Sequence, residues 1–464
     1  MVDFGLIDEW NPAPGRVVSW EATPAARAAA AAAPAHSAPP SHQQEHYLRQ
    51  AYRNAGTEYR VSGLCLVTAE VPAVLDRAAM TRAVNEFLGR HDTFRSWFAL
   101  EPDGTLRRHL IEAGKVEFAP VDHGPLTDSA AIRELAQDRT PSPAQWDCFT
   151  FWAVEHGEST TVFMAIDHLH TDGVGQHISS FELACLYAKH AWDQTPPILP
   201  PASYTEYCAR ERAASARLSL ASPEVGAWLR LLRGNDGELP SFPLDLGLRG
   251  DDPHRSAHRT VRLFDEDAAA RFEKICRDNG GEFAGGVFAA AALAERELAD
   301  SDYYFGITPL NTRSTFEEMA SIGWYVALVP VAFPIGIRAS FERTVARAQR
   351  AYENGMRLKN TAVHRVLELA PADSGIAVGP HWSNPMISYV DARDFAGSEF
   401  FDIARSGLYG NRAASEEALI WINRLPHETS ISVIYPDNPI AHASVRRYLD
   451  TLGGIIRSAA AERE

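Results

Sequence analysis

The chain has 464 residues, of which 45% are hydrophobic, 10% aromatic and 22% charged, the profile of a soluble globular protein with room for two domains or at most three. Sixty Asp and Glu against 44 Lys and Arg leave a formal charge of −16, which repels phosphate backbones and argues against nucleic acid as a partner. Five widely spaced cysteines, Cys65, Cys148, Cys185, Cys208 and Cys276, contain no Cys-x-x-Cys pair and read as reduced, buried thiols.

The N-terminus carries Asp3, Asp8 and Glu9 where an export signal has Lys or Arg, and the longest apolar run, 287–294, is far short of the ~20 residues that span a bilayer. A cytoplasmic protein without a transmembrane segment is expected. Residues 1–41 read as an arm, with Trp10 and Trp20 docking on the body, followed by an Ala/Pro-rich tether over 22–41 that runs along the surface. The proline cluster 196–203 marks the boundary between an N-terminal half, 42–195, and a C-terminal half, 196–464.

In chain order, strand patterns occupy 59–71, 94–100, 105–111, 148–155 and 160–167, with helices at 73–89 and 174–190. Thr160 to Asp167 is a short continuous apolar run, as expected of a central strand covered on both faces. The second half gives helices at 265–279, 284–299, 339–357 and 441–460, and strands at 302–308, 325–333, 386–390, 400–409, 417–423 and 429–435. Both halves are therefore α/β with mixed sheets, and no solenoid repeat is present.

At the end of the central strand stands Asp167-His168-Leu169-His170-Thr171-Asp172-Gly173. Ionisable groups crowd the point where a buried strand opens into a loop, where α/β folds place their sites. Three readings compete. The histidines can be satisfied loop residues. In an extended chain, His168, His170 and Asp172 share one face and could hold zinc. Alternatively, one imidazole is a general base near neutral pH, with Gly173 letting a substrate approach the backbone.

Asp167 to Gly173 resembles the His-His-x-x-x-Asp-Gly motif of the chloramphenicol-acetyltransferase-like superfamily, which includes condensation domains and polyketide-associated acyltransferases. Arg90-His91-Asp92-Thr93-Phe94-Arg95, Tyr204-Thr205-Glu206-Tyr207, Asn311-Thr312-Arg313 and Gly323-Trp324-Tyr325-Val326 are similar to further segments of that superfamily, in the same order. The arm, with Asp8-Glu9-Trp10 and Val18-Ser19-Trp20, looks most like the members that acylate trehalose and sulfotrehalose.

The resemblance implies two chloramphenicol-acetyltransferase-like halves in a V with a tunnel at their interface. It implies His168 as catalytic base, Asp172 as a structural residue paired with an arginine, for which Arg313 is the candidate, and Gly173 beside the tunnel. Asp167 stands where the family most often has its first His, a change that bears on loop packing; His170 and His177 are read as structural. The activity implied is acyl transfer from a thioester, acyl-CoA or a phosphopantetheine arm on a carrier protein or polyketide synthase, to a hydroxylated small-molecule acceptor, without a tightly bound cofactor. The chain has no Gly-x-Ser-x-Gly elbow and no nucleotide-binding glycine loop, so neither an acyl-enzyme nor internal activation of the donor is indicated. Two alternatives stand beside it: amide formation on an amine acceptor, and a non-catalytic scaffold that binds a carrier protein.

Overall fold

A computed structural model of the chain describes residues 3–54, 63–195, 197–248, 254–379, 382–395 and 397–461. Two compact units emerge, and neither is continuous in sequence. The first comprises residues up to Ala213 together with Asn311–Val326 and Phe395–Ala413; the second comprises Ala214–Leu310, Ala327–Asp394 and the chain from Ala414. The expected single boundary at 195/196 gives way to this arrangement because two later segments return to the first unit. Asn311–Val326 carries Arg313, the buried partner of Asp172, and Gly407–Gly410 supplies a strand between Asp3–Leu6 and Leu64–Val71.

The first unit is built on a seven-stranded sheet in the order Asp3–Leu6, Gly407–Gly410, Leu64–Val71, Thr160–Asp167, Phe149–Glu155, Gly15–Ala22, Phe118–Leu126. Only the first pair is parallel. Thr160–Asp167 lies at the centre, and its side chains alternate between two cores. Met164 and Ile166 join Phe149 and Phe151 under the helices Arg77–Arg90 and Gly173–Trp192, while Phe163 and Ala165 join Trp152, Val154 and the helix residues Ile132 and Ala136 on the other face. The run is continuously apolar because both faces are covered.

The N-terminal arm is part of this sheet. Trp10 packs edge-on to Phe163 at 4.8 Å, and Trp20, wholly buried, donates its indole N–H to Thr81. The expected surface tether is also corrected: Pro24–Ala31 is a helix capped by Thr23, with Ala26, Ala30, Ala33 and Ala38 buried. Alanine costs no side-chain entropy in a helix and lets the backbone lie close, so a tract with nothing large to bury still packs.

Other elements shift for local reasons. The helix expected at 73–89 starts at Arg77, because Asp76 accepts hydrogen bonds from Ala78 N and Ala79 N. Of the strand expected at 59–71, residues 59–62 lie outside the described residues, and the remainder is Leu64–Val71. Of the strand at 400–409, only Gly407–Gly410 pairs, while Phe400 and Ile403 are exposed.

The second unit holds a five-stranded sheet in the order Met386–Asp391, Leu419–Arg424, Glu428–Pro436, His254–Asp265, Ala414–Ser415. The helices Glu266–Asp278, Phe283–Ala299, Phe341–Met356 and Pro439–Ala460 complete its core. No described helix is long and apolar enough to cross a membrane. All five cysteines are free, and four are buried.

Candidate active site

The central strand ends at Asp167, where main-chain bonds from Asp167 N to Cys148 O and from His168 N to Gly63 O, 3.0 and 2.8 Å, hold the turn to its neighbours. His168–His170 then form one short 3-10 turn, with Asp167 Oδ1 accepting Leu169 N–H at 3.0 Å. That turn separates the two histidines. At about 120° of rotation per residue, side chains two positions apart leave a 3-10 turn in different directions. The single face expected of an extended chain is lost.

His170 is fully buried between Phe94 and Phe149, with Nδ1 3.0 Å from Thr93 Oγ1. Burial and the nearby charge of Arg108 push its pKa down to about 3. Asp172 accepts from Arg313. Among the described residues no group of three His, Cys, Asp or Glu side chains converges in a way that could hold a metal ion, so the zinc arrangement of His168, His170 and Asp172 does not form.

His168 is half-buried. Its ring lies against the indole of Trp324, centroids 4.2 Å apart at 47°, and a Cβ at Gly63 would sit 3.3 Å from the His168 Cβ. Nδ1 is buried without a hydrogen-bond partner among the described residues. Burial lowers the imidazole pKa from its usual 6.5, while its own backbone and the charge of Asp172 oppose the shift. The neutral, proton-accepting form therefore prevails at neutral pH.

Asp172 caps the helix Gly173–Trp192. Its Oδ1 accepts Gly175 N–H at 2.7 Å, and its Oδ2 accepts Arg313 Nη1–H at 2.9 Å and Tyr325 N–H at 2.8 Å. Arg313 spends its remaining donors on Ser321 O, Gly323 O and Asn311 Oδ1, and its guanidinium lies 4.3 Å from the Tyr325 ring centre. Both charges are buried and fully hydrogen-bonded, the condition under which a buried ion pair is tolerated. Gly173 is exposed, and a Cβ there would meet nothing within 4 Å, so no protein contact demands glycine at this position. Gly323 is different: a Cβ would run into the Tyr204 ring.

The segments around the motif are its scaffold. Asp92 accepts from Ser203 Oγ and from the main-chain N–H groups of Tyr204 and Thr205, while Arg90 and His91 both reach Glu182. Tyr204 stacks on Tyr207, Tyr325 packs edge-on to the first and tilted to the second, and Trp324 packs against this buried group. His177 packs against Phe395 and Phe401.

One helix at the site has only a short apolar stripe, Tyr47, Leu48 and Tyr52. His42–Arg53 sends Gln44 Nε2 to Leu169 O at 2.9 Å, and the Tyr47 hydroxyl to Asp167 Oδ1 at 2.8 Å. The same hydroxyl accepts Gly63 N–H at 2.7 Å. A Ser-x-x-Gln capping box at Ser41 and Gln44 is the local signal that marks this helix.

A cleft of 690 Å³ in the second unit, lined by Leu293, Glu297, Phe341, Glu342, Asp450 and Ile455 among others, contains none of these residues and no imidazole or thiol.

A family model described as Condensation domain matches residues 36–371. The acyltransferase PapA3 of Mycobacterium tuberculosis is 34% identical over 98% of this chain and 96% of its own length. The trehalose-2-sulfate acyltransferase PapA2 of the same organism is 34% identical over 99% and 98%. A solved structure of PapA2 acyl transferase matches with a TM-score of 0.93 at 33% identity, covering 99% of this chain and all of that one. The condensation domain of the Monacolin K polyketide synthase MokA, at 15% identity and a TM-score of 0.69 over 92% of this chain and 98% of its own, shares the fold.

Proposed function

The chain belongs to the condensation-domain family and is an acyltransferase; we propose that it moves an acyl group from a thioester to a hydroxyl of a sugar or polyol, with His168 as general base. Two relatives spanned almost end to end are named for transfer to sulfated trehalose: PapA2, and the 2'-acyl-2-O-sulfo-trehalose (hydroxy)phthioceranyltransferase PapA1 at 33% identity. Trehalose and its sulfate are accordingly the acceptors to try first.

The observation that carries the reading is the state of His168, an imidazole kept neutral by burial, wedged by Trp324, and without a side-chain hydrogen-bond partner among the described residues. It would take the proton of the acceptor hydroxyl as the oxygen attacks the thioester carbonyl carbon. The carbon–sulfur bond then breaks, and the same proton passes to the departing thiolate. First-turn N–H groups at Gly173 and Val174, which have no intrahelical acceptor, would offer the developing oxyanion a contact. Asp172, Arg313 and Asp167 support the loop and take no part in bond making.

The donor arrives activated, as acyl-CoA or on the phosphopantetheine arm of a carrier protein or polyketide synthase, so no further cofactor enters the reaction. Such thioesters place the reaction in the cytoplasm.

The test is incubation with palmitoyl-CoA and, in parallel, trehalose-2-sulfate, trehalose and an amine, with free thiol and product mass followed together. One thiol released per sugar ester is expected. Product only with the amine would establish amide formation instead. No thiol release with any acceptor or acyl carrier, while carrier binding persists, would leave a scaffold.

A further inference from the structure

Among the described residues no carboxylate hydrogen-bonds the His168 ring, and other contacts fix the turn that carries it. Its main-chain N–H is tied to Gly63 O, and its neighbour Leu169 N–H to Asp167 Oδ1. The Tyr47 hydroxyl joins these two anchors, donating to Asp167 Oδ1 at 2.8 Å and accepting Gly63 N–H at 2.7 Å. The Tyr47 ring also packs edge-on to Trp324 at 5.4 Å, and Trp324 is the ring that lies on the imidazole. One side chain thus touches both the main-chain frame of the base and the platform under it.

We propose that Tyr47 is the positioning residue of the transferase, holding the His168 imidazole through the Asp167–Gly63 frame and through Trp324. This rests on His168 being the base. The proposal also explains why this chain tolerates Asp167 where the family resemblance leads one to expect a histidine: a buried carboxylate needs donors, and Tyr47 OH and Leu169 N–H supply two of them. Burial and the charge of Asp167 raise the Tyr47 pKa far above its usual 10, so the hydroxyl keeps the proton that it donates.

The experiment combines Tyr47→Phe with His168→Ala and reads kcat and KM for palmitoyl-CoA and the acceptor, with Tm as a check on folding. Misplacement of a reacting group by about 1 Å can cost about 100-fold, so Tyr47→Phe should lower kcat by about 10- to 100-fold. KM for both substrates should stay within about twofold, since no binding contact is removed. In the His168→Ala background the same substitution should change the residual rate by less than about twofold, because Tyr47 acts through the imidazole.

A Tyr47→Phe enzyme with normal kcat, alongside an inactive His168→Ala, overturns the positioning role and leaves the base intact. An equal loss in both backgrounds also overturns it. If His168→Ala itself is near normal, it is the base assignment that falls. Should Tyr47→Phe not fold, Trp324→Phe replaces it: a fall of kcat with KM unchanged is expected, and an unchanged kcat contradicts the proposal.

Discussion

Two imidazoles two residues apart in the same turn have opposite fates. His170 is sealed among phenylalanines, its Nδ1 engaged by Thr93 and its basicity suppressed to about 3. His168 is half-buried, cushioned by one indole and without a side-chain hydrogen-bond partner among the described residues. Titratability by itself does not select a base; the direction in which the turn aims each ring does. Sequence spacing treats the two alike; family resemblance singles out His168, and the 3-10 turn supplies the physical difference.

The comparison can be broken in order of expected effect. Replacing His168 by Ala should cut transfer by about 10²- to 10⁴-fold while the fold is kept, measured by product formation and Tm. The matching change His170→Asn should leave the rate close to normal and act on stability instead. A histidine held neutral in the folded state at about 3, against 6.5 when unfolded, contributes stability present above pH 6.5 and lost as pH falls from there toward 3. The full difference for this buried group is on the order of 5 kcal/mol, so the wild-type stability slope across that window should flatten in His170→Asn, as read by denaturant melts at several pH values.

At the other end of the motif, Asp172→Ala strands the Arg313 guanidinium, and removing one partner of a buried pair costs about 3–5 kcal/mol. Loss of soluble protein or a lowered Tm is expected; a stable but inactive variant would make Asp172 chemical. The smallest effect belongs to Gly173→Ala. The open space around it predicts an unchanged or slightly raised Tm, together with a rise in acceptor KM of less than about tenfold if substrate passes over this backbone.

Much of the site was legible in the chain because it is local. Asp167 to Gly173 lies where a buried strand meets a helix, and Asp172 caps that helix from a position any reader would test. The Asp172–Arg313 contact, 141 residues apart, was approached through family resemblance and not through spacing. What stayed hidden are elements whose buried face is polar or very small. The helix His42–Arg53 sets a short stripe, Tyr47, Leu48 and Tyr52, against the core beside the buried polar His42 and Gln44, and it supplies Gln44 and Tyr47 to the turn. Pro24–Ala31 buries no side chain larger than alanine, only Ala26 and Ala30. His254–Asp265 buries two adjacent pairs, Ser256-Ala257 and Leu263-Phe264, separated by arginines and a histidine, which breaks the period-two strand pattern. The return of 311–326 and 395–413 to the first unit is long-range topology, which no local pattern encodes.

The central claim, that His168 accepts the proton of the incoming hydroxyl, is tested most directly by the pH dependence of kcat/KM for ester formation. The neutral imidazole is the active form and burial lowers its pKa, so activity should fall through a single protonation below pH 6.5 and stay level above it. That limb should vanish from the residual activity of His168→Ala. A limb that persists unchanged in the variant would place the base elsewhere and contradict the account.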